Sequence, residues 1–399
     1  MKITFNKEEF LSSLNIVSKA LKNNGLQKIL DCILIDASKN KIYLISQDGR
    51  ELTIKTEAKG EILENGITAI DGVTLINAIS GMEKEYDVEL EVTKDRDCIL
   101  KCGENITQNF QAKDESTYPN TPQIIKENKV ILNELKLKKI IEKTSFSYDK
   151  NNESGNIILR GIYFEVNKED FKAKSMDGYI ISIINEKIVG NDNKYEKIIP
   201  GPTLEEINKL LKGEVNKDVN IYFNDKNISF EFNNTIVTSI IIPNNYIDTD
   251  RIFNVDNTTK ISINRESLIK ALNRTMPYVG DTSDNKKPVI LNIKDDIIEI
   301  SLSSLKGESY EKIDIKKSGK DIRIAFNSKK LIRILNVIED ENVNLYFSGS
   351  KQPVIIKDKQ ETYLYLLTPV KIDWLSSLNL YFIFANFCIG KFYNIKLNL

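Results

Sequence analysis

The stretch ISINRESLIKALNRTMPYV (261–279) decides the fold, because two other stretches of the chain repeat its design. A short alternating strand leads into an asparagine, and apolar residues then recur at helical spacing. The same order occurs in ITFNKEEFLSSLNIVSKAL (3–21) and in VILNELKLKKIIEKTSFS (130–147). Since an asparagine side chain can accept hydrogen bonds from the first turn of a helix, each asparagine is a predicted N-cap. These residues are Asn6, Asn133 and Asn264.

A second set of three stretches begins between sixty and seventy residues beyond each of the first. The sequences are ITAIDGVTLINAISGM (67–82), KIIPGPTLEEINKLLKGE (197–214) and IRIAFNSKKLIRILNVIED (322–340). Each is a strand, a turn or cap residue, and an amphipathic helix of about three turns. The chain is therefore predicted to contain three tandem similar α+β domains, each with two helices packed on antiparallel sheets.

Alternating runs between the predicted helices indicate antiparallel hairpins. They are KIYLISQDGRELTIKTEA (41–58), GIYFEVNKEDFKAKSMDG (161–178) and VNIYFNDKNISFEF (219–232). We place the domains at residues 1–125, 126–255 and 256–372, followed by a hydrophobic C-terminal extension at 373–399.

The composition argues against a conventional catalytic or metal centre. The chain has no histidine, four cysteines and a net charge of −1. The absence of histidine removes the commonest general base and the usual zinc ligand, and Cys98 and Cys102 have no second cysteine pair nearby. We expect no enzyme activity, cofactor, metal or signal peptide. A hydrolase would need a site built from carboxylates or lysine alone, and no clustered candidates suggest one.

Two local stretches carry a family resemblance. SMDGYIISI (175–183) and YLYLLTPVKI (363–372) stand where the bacterial sliding clamps have a polar turn and a characteristic C-terminal ending. With the threefold architecture in order, the chain resembles the beta subunit of DNA polymerase III over residues 1–372. The resemblance implies the DNA-clamp fold, with two chains joined head to tail as a homodimeric ring around duplex DNA.

The same resemblance implies a processivity factor in DNA replication. Such a ring tethers the catalytic subunit of DNA polymerase III, the clamp loader and other replication or repair proteins. It performs no chemistry, needs no cofactor or membrane, and acts in the cytoplasm. The alternative is a clamp-derived scaffold that binds proteins but is no longer loaded on DNA. Loading on circular but not on linearised DNA separates the two hypotheses.

A ring around DNA needs a positive lining, and four predicted helices carry cations on their polar faces. These helices span residues 7–22, 134–147, 265–275 and 328–340, whereas the helix at 203–214 carries Glu205, Glu206 and Glu214 against two lysines. The alternative interpretation is an ordinary solvated helix face. The predicted DNA-facing residues are Lys19, Lys22, Lys136, Lys139, Lys143, Lys270, Arg274, Lys329 and Arg333.

The resemblance also implies a groove that receives apolar side chains of partner peptides. Several of its apolar members are equally compatible with a plain core, and Tyr179, Ile180, Ile247 and Thr368 depart from the residues usual in the family. The implied dimer contacts are Ile106 on one protomer and Pro277 and Tyr278 on the other. The implied groove residues are Leu159, Met176, Gly178, Tyr179, Ile181, Ile247, Arg251, Ile252, Leu366, Thr368, Pro369 and Val370.

The extension at 373–399 contains seventeen consecutive uncharged residues, 374–390. Three interpretations remain open. Seventeen residues fall just short of the usual transmembrane length, and the polar residues among them argue further against an anchor. SLNLYF (377–382) resembles the Gln-Leu-x-Leu-Phe type of peptide that clamp partners insert, so the extension is a candidate ligand of its own groove. The third interpretation is an extension without a specific function.

Overall fold

The computed structural model describes residues 1–21, 27–188, 193–253, 255–280 and 287–371. The predicted extension at 373–399 therefore lies outside the described residues. The chain divides into two compact units, the first at Met1–Ile247 and the second from Asp248 onward.

The first repeat begins the first unit and contains nine strands and two helices. They are β1 (Lys2–Phe5), α1 (Lys7–Val17), β2 (Cys32–Asp36), β3 (Ile42–Gln47), β4 (Leu52–Ala58), β5 (Glu61–Glu64), β6 (Ile67–Asp71), α2 (Gly72–Ser80), β7 (Val88–Val92), β8 (Asp97–Cys102) and β9 (Ile106–Gln111).

The second repeat completes the first unit with eight strands and two helices. They are β10 (Lys129–Asn133), α3 (Glu134–Ser145), β11 (Gly161–Val166), β12 (Asp170–Met176), β13 (Ile180–Lys187), β14 (Tyr195–Pro200), α4 (Gly201–Leu210), β15 (Asp218–Phe223), β16 (Asn227–Phe232) and β17 (Thr235–Ile240).

The second unit starts with a one-turn helix and contains the third repeat. Its elements are α5 (Asp250–Phe253), β18 (Thr259–Asn264), α6 (Arg265–Thr275), β19 (Val289–Lys294), β20 (Ile297–Ser304), β21 (Gly307–Asp314), β22 (Lys316–Gly319), β23 (Ile322–Phe326), α7 (Ser328–Asn336), β24 (Asn342–Phe347), β25 (Val354–Lys357) and β26 (Tyr363–Leu367).

Strand pairing confirms the threefold α+β repeat. The opening strand of each repeat pairs antiparallel with the strand that follows the second helix, as β1–β7, β10–β15 and β18–β24. The strand before the second helix pairs with the one that follows the first helix, as β2–β6, β11–β14 and β19–β23. The two helices of each repeat contact each other, and the first contacts strands of its own repeat. The three predicted hairpins also form.

The three predicted N-caps are confirmed. The Oδ1 atom of Asn6 accepts hydrogen bonds from the backbone N–H groups of Glu8 and Glu9, at 3.0 and 3.2 Å. Asn133 caps α3 in the same way, and Asn264 caps α6 through Ser267 N–H at 2.9 Å. A cap of this kind stabilises a helix by about 1 kcal/mol.

Four predicted helix ends were wrong. The helices α1, α3, α4 and α7 end earlier than the apolar spacing indicated, and α1 passes into a 3-10 turn at Ser18–Ala20. Beyond α4 and α7, Leu211 and Ile338 are each only 2% exposed although they lie outside the helix, so the apolar pattern continues where the helix does not. Helix α4 also begins two residues earlier than predicted, because Pro202 is well tolerated in a first turn.

The helices bury one face and leave the other polar. In α3, Leu137, Ile140 and Ile141 are at most 1% exposed. Full burial of such a side chain contributes about 1.5–3 kcal/mol. The apolar positions pack on the sheets and on α4, and the lysines at 136, 139 and 143 lie outside this buried face.

The first two repeats share one eight-stranded sheet, in the order β10-β15-β16-β17-β4-β3-β2-β6. The join is the antiparallel pair β17–β4, from Thr235 opposite Thr56 to Ser239 opposite Leu52. The hydroxyl groups of Thr56 and Thr235 are 2.8 Å apart, and Glu57 N–H donates to Asn234 O at 3.0 Å. The first unit is therefore continuous in its hydrogen bonding.

Candidate functional site

Helix α3 carries three of the predicted DNA-facing lysines along its polar side. Lys136 is exposed, while Lys139 and Lys143 are half-buried. Their spacing of three and four residues places them on one face of the helix. The ammonium group of Lys136 forms an ion pair with Glu186 on β13. The helix thus presents a cationic stripe whose first member already has a carboxylate partner.

The second unit shows the same arrangement on α6 and α7. On α6, Lys270 pairs with Glu266 at 2.7 Å. The guanidinium of Arg274 donates twice to Glu311 on β21, at 2.8 and 2.5 Å, and these hydrogen bonds raise its pKa. On α7, the remaining two predicted cations are exposed. They are Lys329 and Arg333.

Among the described residues, the first repeat provides only one of the predicted DNA-facing cations. Lys19 is exposed, and it lies in the 3-10 turn after α1 rather than in the helix itself. Lys22 was predicted to face DNA, but it lies outside the described residues.

Because ion pairs between exposed side chains are weak in water, a phosphate group can replace the carboxylate at little cost. Glu186 and Glu311 were missed in the sequence because they lie on strands far along the chain from their partners. Glu266 lies four residues before Lys270, and that spacing could have revealed it.

The acidic residues near α4 have structural partners. Glu205 accepts hydrogen bonds from Tyr148 OH at 2.9 Å and from Lys150. Glu206 pairs with Lys209 at 2.9 Å, and Glu214, beyond the helix, pairs with Lys217 at 3.0 Å. The glutamates that distinguish this helix from the cationic helices therefore form local contacts within the second repeat.

In the first unit, the predicted peptide-binding residues gather at the β12–β13 hairpin. Met176 lies opposite Ile181 in the strand register, and both are 7% exposed. The Oδ1 atom of Asp177 accepts from the N–H groups of Tyr179 and Ile180, at 2.8 and 2.7 Å. Gly178 has a φ of +87°, which favours glycine, and Tyr179 is 55% exposed.

Two further predicted residues complete this set in the first unit. Leu159 is 7% exposed in the 3-10 turn Ile157–Arg160, and its carbonyl oxygen accepts from Asp149 N–H at 2.7 Å. Ile247 ends the unit with 38% of its surface exposed.

In the second unit, the predicted peptide-binding residues lie on α5 and after β26. Ile252 and Val370 are each 39% exposed, as a surface that receives a partner requires. Val370 N–H donates to Ala325 O at 2.8 Å, which fixes the chain after β26. Leu366 is 2% exposed on β26, whereas Thr368 and Pro369 are half-buried. The side chain of Arg251 lies outside what the structure describes.

The predicted dimer residues lie on or beside the outermost strands of two sheets. Ile106 is half-buried at the start of β9, the last strand in the order β5-β1-β7-β8-β9. Pro277 and Tyr278 form a 3-10 turn after α6. Tyr278 packs beside Gly307, the first residue of the outermost strand β21, where a Cβ atom would lie 2.9 Å from its ring.

No group of three potential metal ligands occurs among the residues that the structure describes. Burial raises the pKa of the Cys32 thiol to about 11 and that of Cys98 to about 12, so these thiols stay protonated at neutral pH. Within the described part of the chain, no helix is long and apolar enough to cross a membrane.

Sequence profiles of the DNA polymerase III beta subunit match the chain in three consecutive segments. The profile of the N-terminal domain matches residues 1–122, that of the central domain 131–248, and that of the C-terminal domain 250–371. The matched segments follow the three structural repeats in order.

Individual relatives agree with these matches. The crystal structure of a protein from Eubacterium rectale, assigned to the DNA polymerase III beta subunits, is 35% identical with a TM-score of 0.89, covering 93% of this chain and 100% of that one. The DNA polymerase sliding clamp of Bacillus subtilis has the same fold, with 24% identity, a TM-score of 0.88 and coverage of 93% and 99%. A beta sliding clamp of Staphylococcus aureus (strain Mu50 / ATCC 700699) is 25% identical over 381 residues, covering 93% of this chain and 99% of the relative.

Proposed function

The chain belongs to the DNA polymerase III beta subunit family, and on that premise we propose that it is a sliding clamp. Two copies joined head to tail would encircle duplex DNA without reading its sequence. The ring tethers the catalytic subunit of DNA polymerase III and other replication or repair proteins, and a clamp loader places it on DNA. This attachment confers processivity.

One observation carries the proposal: the family match extends through all three repeats, and each repeat has the same pair of contacting helices. Cations on the polar faces of these helices suit contacts with phosphate, which depend on charge rather than sequence. The role requires no catalysis and no cofactor, and we infer that the protein acts in the cytoplasm with the bacterial DNA.

We further propose roles for the predicted site residues. The cations on the polar helix faces contact phosphate, with the ion pairs to Glu186 and Glu311 exchanging for it. The apolar residues at the β12–β13 hairpin, on α5 and after β26 receive partner peptides. Ile106 of one protomer meets Pro277 and Tyr278 of its partner.

The experiment is retention on circular against linearised DNA. The chain is loaded onto nicked circular DNA with the clamp loader of its own organism and isolated by gel filtration. We expect it to remain on circles and to be lost after one restriction cut, because a topological link ends at a free DNA end. Equal retention before and after cutting, or no loading at all, would identify a scaffold instead of a clamp.

A further inference from the structure

The turn of the β12–β13 hairpin has a counterpart in the first repeat. SQDGRELTI (46–54) matches SMDGYIISI (175–183) at the serine, the aspartate and the glycine. The Oδ1 atom of Asp48 accepts from the N–H groups of Arg50 and Glu51, at 2.9 and 2.8 Å, as Asp177 does in its own turn. Gly49 has a φ of +68°, again in the left-handed region. The two turns therefore have the same construction.

The connector that follows each of the first two repeats is duplicated as well. YPNTPQII (118–125) matches YIDTDRIF (246–253) at the tyrosine, the threonine and an isoleucine. Tyr118 is buried and Tyr246 is half-buried, and the hydroxyl oxygen of each is buried with no hydrogen-bond partner among the described residues. The first unit thus contains its own complete copy of the turn and the connector.

In the first unit, this copy borders an open cavity of about 460 Å³, which is within the size range of ligand sites. Its walls are the β3–β4 turn, the connector, the β15–β16 turn and the end of β17. Gln47 Nε2 donates to Pro119 O at 2.9 Å, and Asn224 Nδ2 donates to Ile125 O at 3.2 Å. These two hydrogen bonds fix the connector near both of its ends.

The charge at the cavity is positive. Arg50 and Lys226 are exposed, and neither forms an ion pair with any residue that the structure describes. Glu51 also lines the cavity, and its carboxylate forms an ion pair with Arg160 at 3.1 Å. Beside the two cations, Ile240 exposes 46% of its surface. The cavity can therefore bind a negatively charged group and, next to it, an apolar side chain.

We propose that this cavity binds an extended peptide of a partner protein, one that carries carboxylates next to an apolar side chain. Nucleic acid fits less well, because a phosphate backbone would leave Ile240 uncovered. The chain's own residues 373–399 also fit poorly, since their charged residues are one aspartate and two lysines. The proposal depends on this cavity alone and not on the role in DNA replication.

The test uses a fluorescein-labelled hexapeptide of alternating Asp and Leu, with a Lys-Leu hexapeptide as the charge control. Fluorescence anisotropy measures binding to the full chain. We expect saturable binding of the acidic peptide and at least about tenfold weaker binding after R50E together with K226E. I240S should weaken it several-fold, because it removes only the apolar contact. The matched control is K39E with K168E, two exposed lysines in other turns of the same unit, which should bind as the parent does.

Several outcomes would overturn the proposal. The acidic peptide could fail to bind at concentrations up to about 1 mM, or the Lys-Leu peptide could bind equally well. Equal losses in the cavity and control variants would overturn it too. Displacement of the peptide by a short DNA duplex would assign the cavity to nucleic acid and also reject the proposal. Retention on circular DNA is measured separately, so the peptide-binding cavity and the sliding-clamp function are tested independently.

Discussion

Asp149 shows how one buried carboxylate organises a loop beside a predicted peptide-binding residue. It is 5% exposed and accepts hydrogen bonds from the N–H groups of Glu153 and Ser154, both at 2.9 Å, and from Ser154 Oγ at 2.5 Å. Burial alone would raise the pKa of Asp149, but these hydrogen bonds outweigh it and lower the pKa below its usual 3.8. The backbone N–H of Asp149 donates a hydrogen bond to the carbonyl oxygen of Leu159.

The D149N variant should lose about 1–3 kcal/mol of unfolding free energy at pH 7, because hydrogen bonds to a charged acceptor are replaced by weaker ones. A lowered folded-state pKa contributes stability that is present above pH 3.8 and lost as the pH falls through the folded pKa. The difference between parent and variant should therefore shrink in acid. Urea denaturation at pH 7 and pH 3 measures it.

D225N is the matched control for this prediction, since Asp225 is an exposed aspartate in a turn of the same unit. It should leave the unfolding free energy at pH 7 within about 0.5 kcal/mol of the parent. Equal effects of D149N and D225N would show that the hydrogen bonds of Asp149 contribute little.

For single residues, a role could be predicted from the sequence only where the residue acts on its near neighbours in the chain. The N-caps Asn6, Asn133 and Asn264 could be predicted because a cap acts on the next few residues. The pairing of Arg274 with Glu311 could not, because thirty-seven residues separate them and only the fold brings them together.

At the scale of elements, helix α3 is the clearest test of the proposed DNA contacts. Lys136, Lys139 and Lys143 share its polar face, and its apolar face is fully buried. A triple substitution on the polar face should therefore change charge without disturbing packing.

The variant K136E/K139E/K143E should dissociate from circular DNA at least about tenfold faster at low salt, and the dependence on salt should weaken because fewer counterions are released. The control K129E/K172E/K197E changes the net charge equally on strands β10, β12 and β14. We expect the control to be retained like the parent. Similar losses in both triple variants would attribute the effect to overall charge and reject the assignment of α3.

Most elements could be predicted from periodicity, but their ends and the joining of sheets could not. Leu211 and Ile338 continue the apolar pattern past the helices because residues outside a helix can bury their side chains too. The pairing of β17 with β4 involves residues about 180 positions apart, and each strand alone carries no sign of which partner it takes.

At the scale of the whole molecule, the question is whether the C-terminal extension affects the binding of partner peptides. The proposed peptide-binding residues belong to both units, and the extension begins at residue 373, shortly after Val370. The sequence of the extension leaves open whether it competes with partner peptides.

We expect a labelled Gln-Leu-x-Leu-Phe-type peptide to bind the full chain and a chain ended after Ile372 equally. The matching segment in the extension has Ser377 in place of glutamine and so lacks one anchoring group. Binding is measured by fluorescence anisotropy. I252D with V370D should weaken it in both chains, since a charge replaces each exposed apolar contact.

Binding to the shortened chain alone would contradict this expectation and identify the extension as a built-in competitor. Binding that is unaffected by I252D with V370D would instead reject the assignment of these two residues.

The shared sheet of the first unit also decides how the first two repeats are held together. Residues 112–128 link β9 to β10, but the five-residue ladder between β17 and β4 holds the two repeats together independently of that link. A cut in this link outside residues 118–125, which line the proposed cavity, would leave two polypeptides that stay associated as one folded body. New chain ends or an inserted domain are therefore best tolerated there, whereas the same change in β17 would separate the repeats.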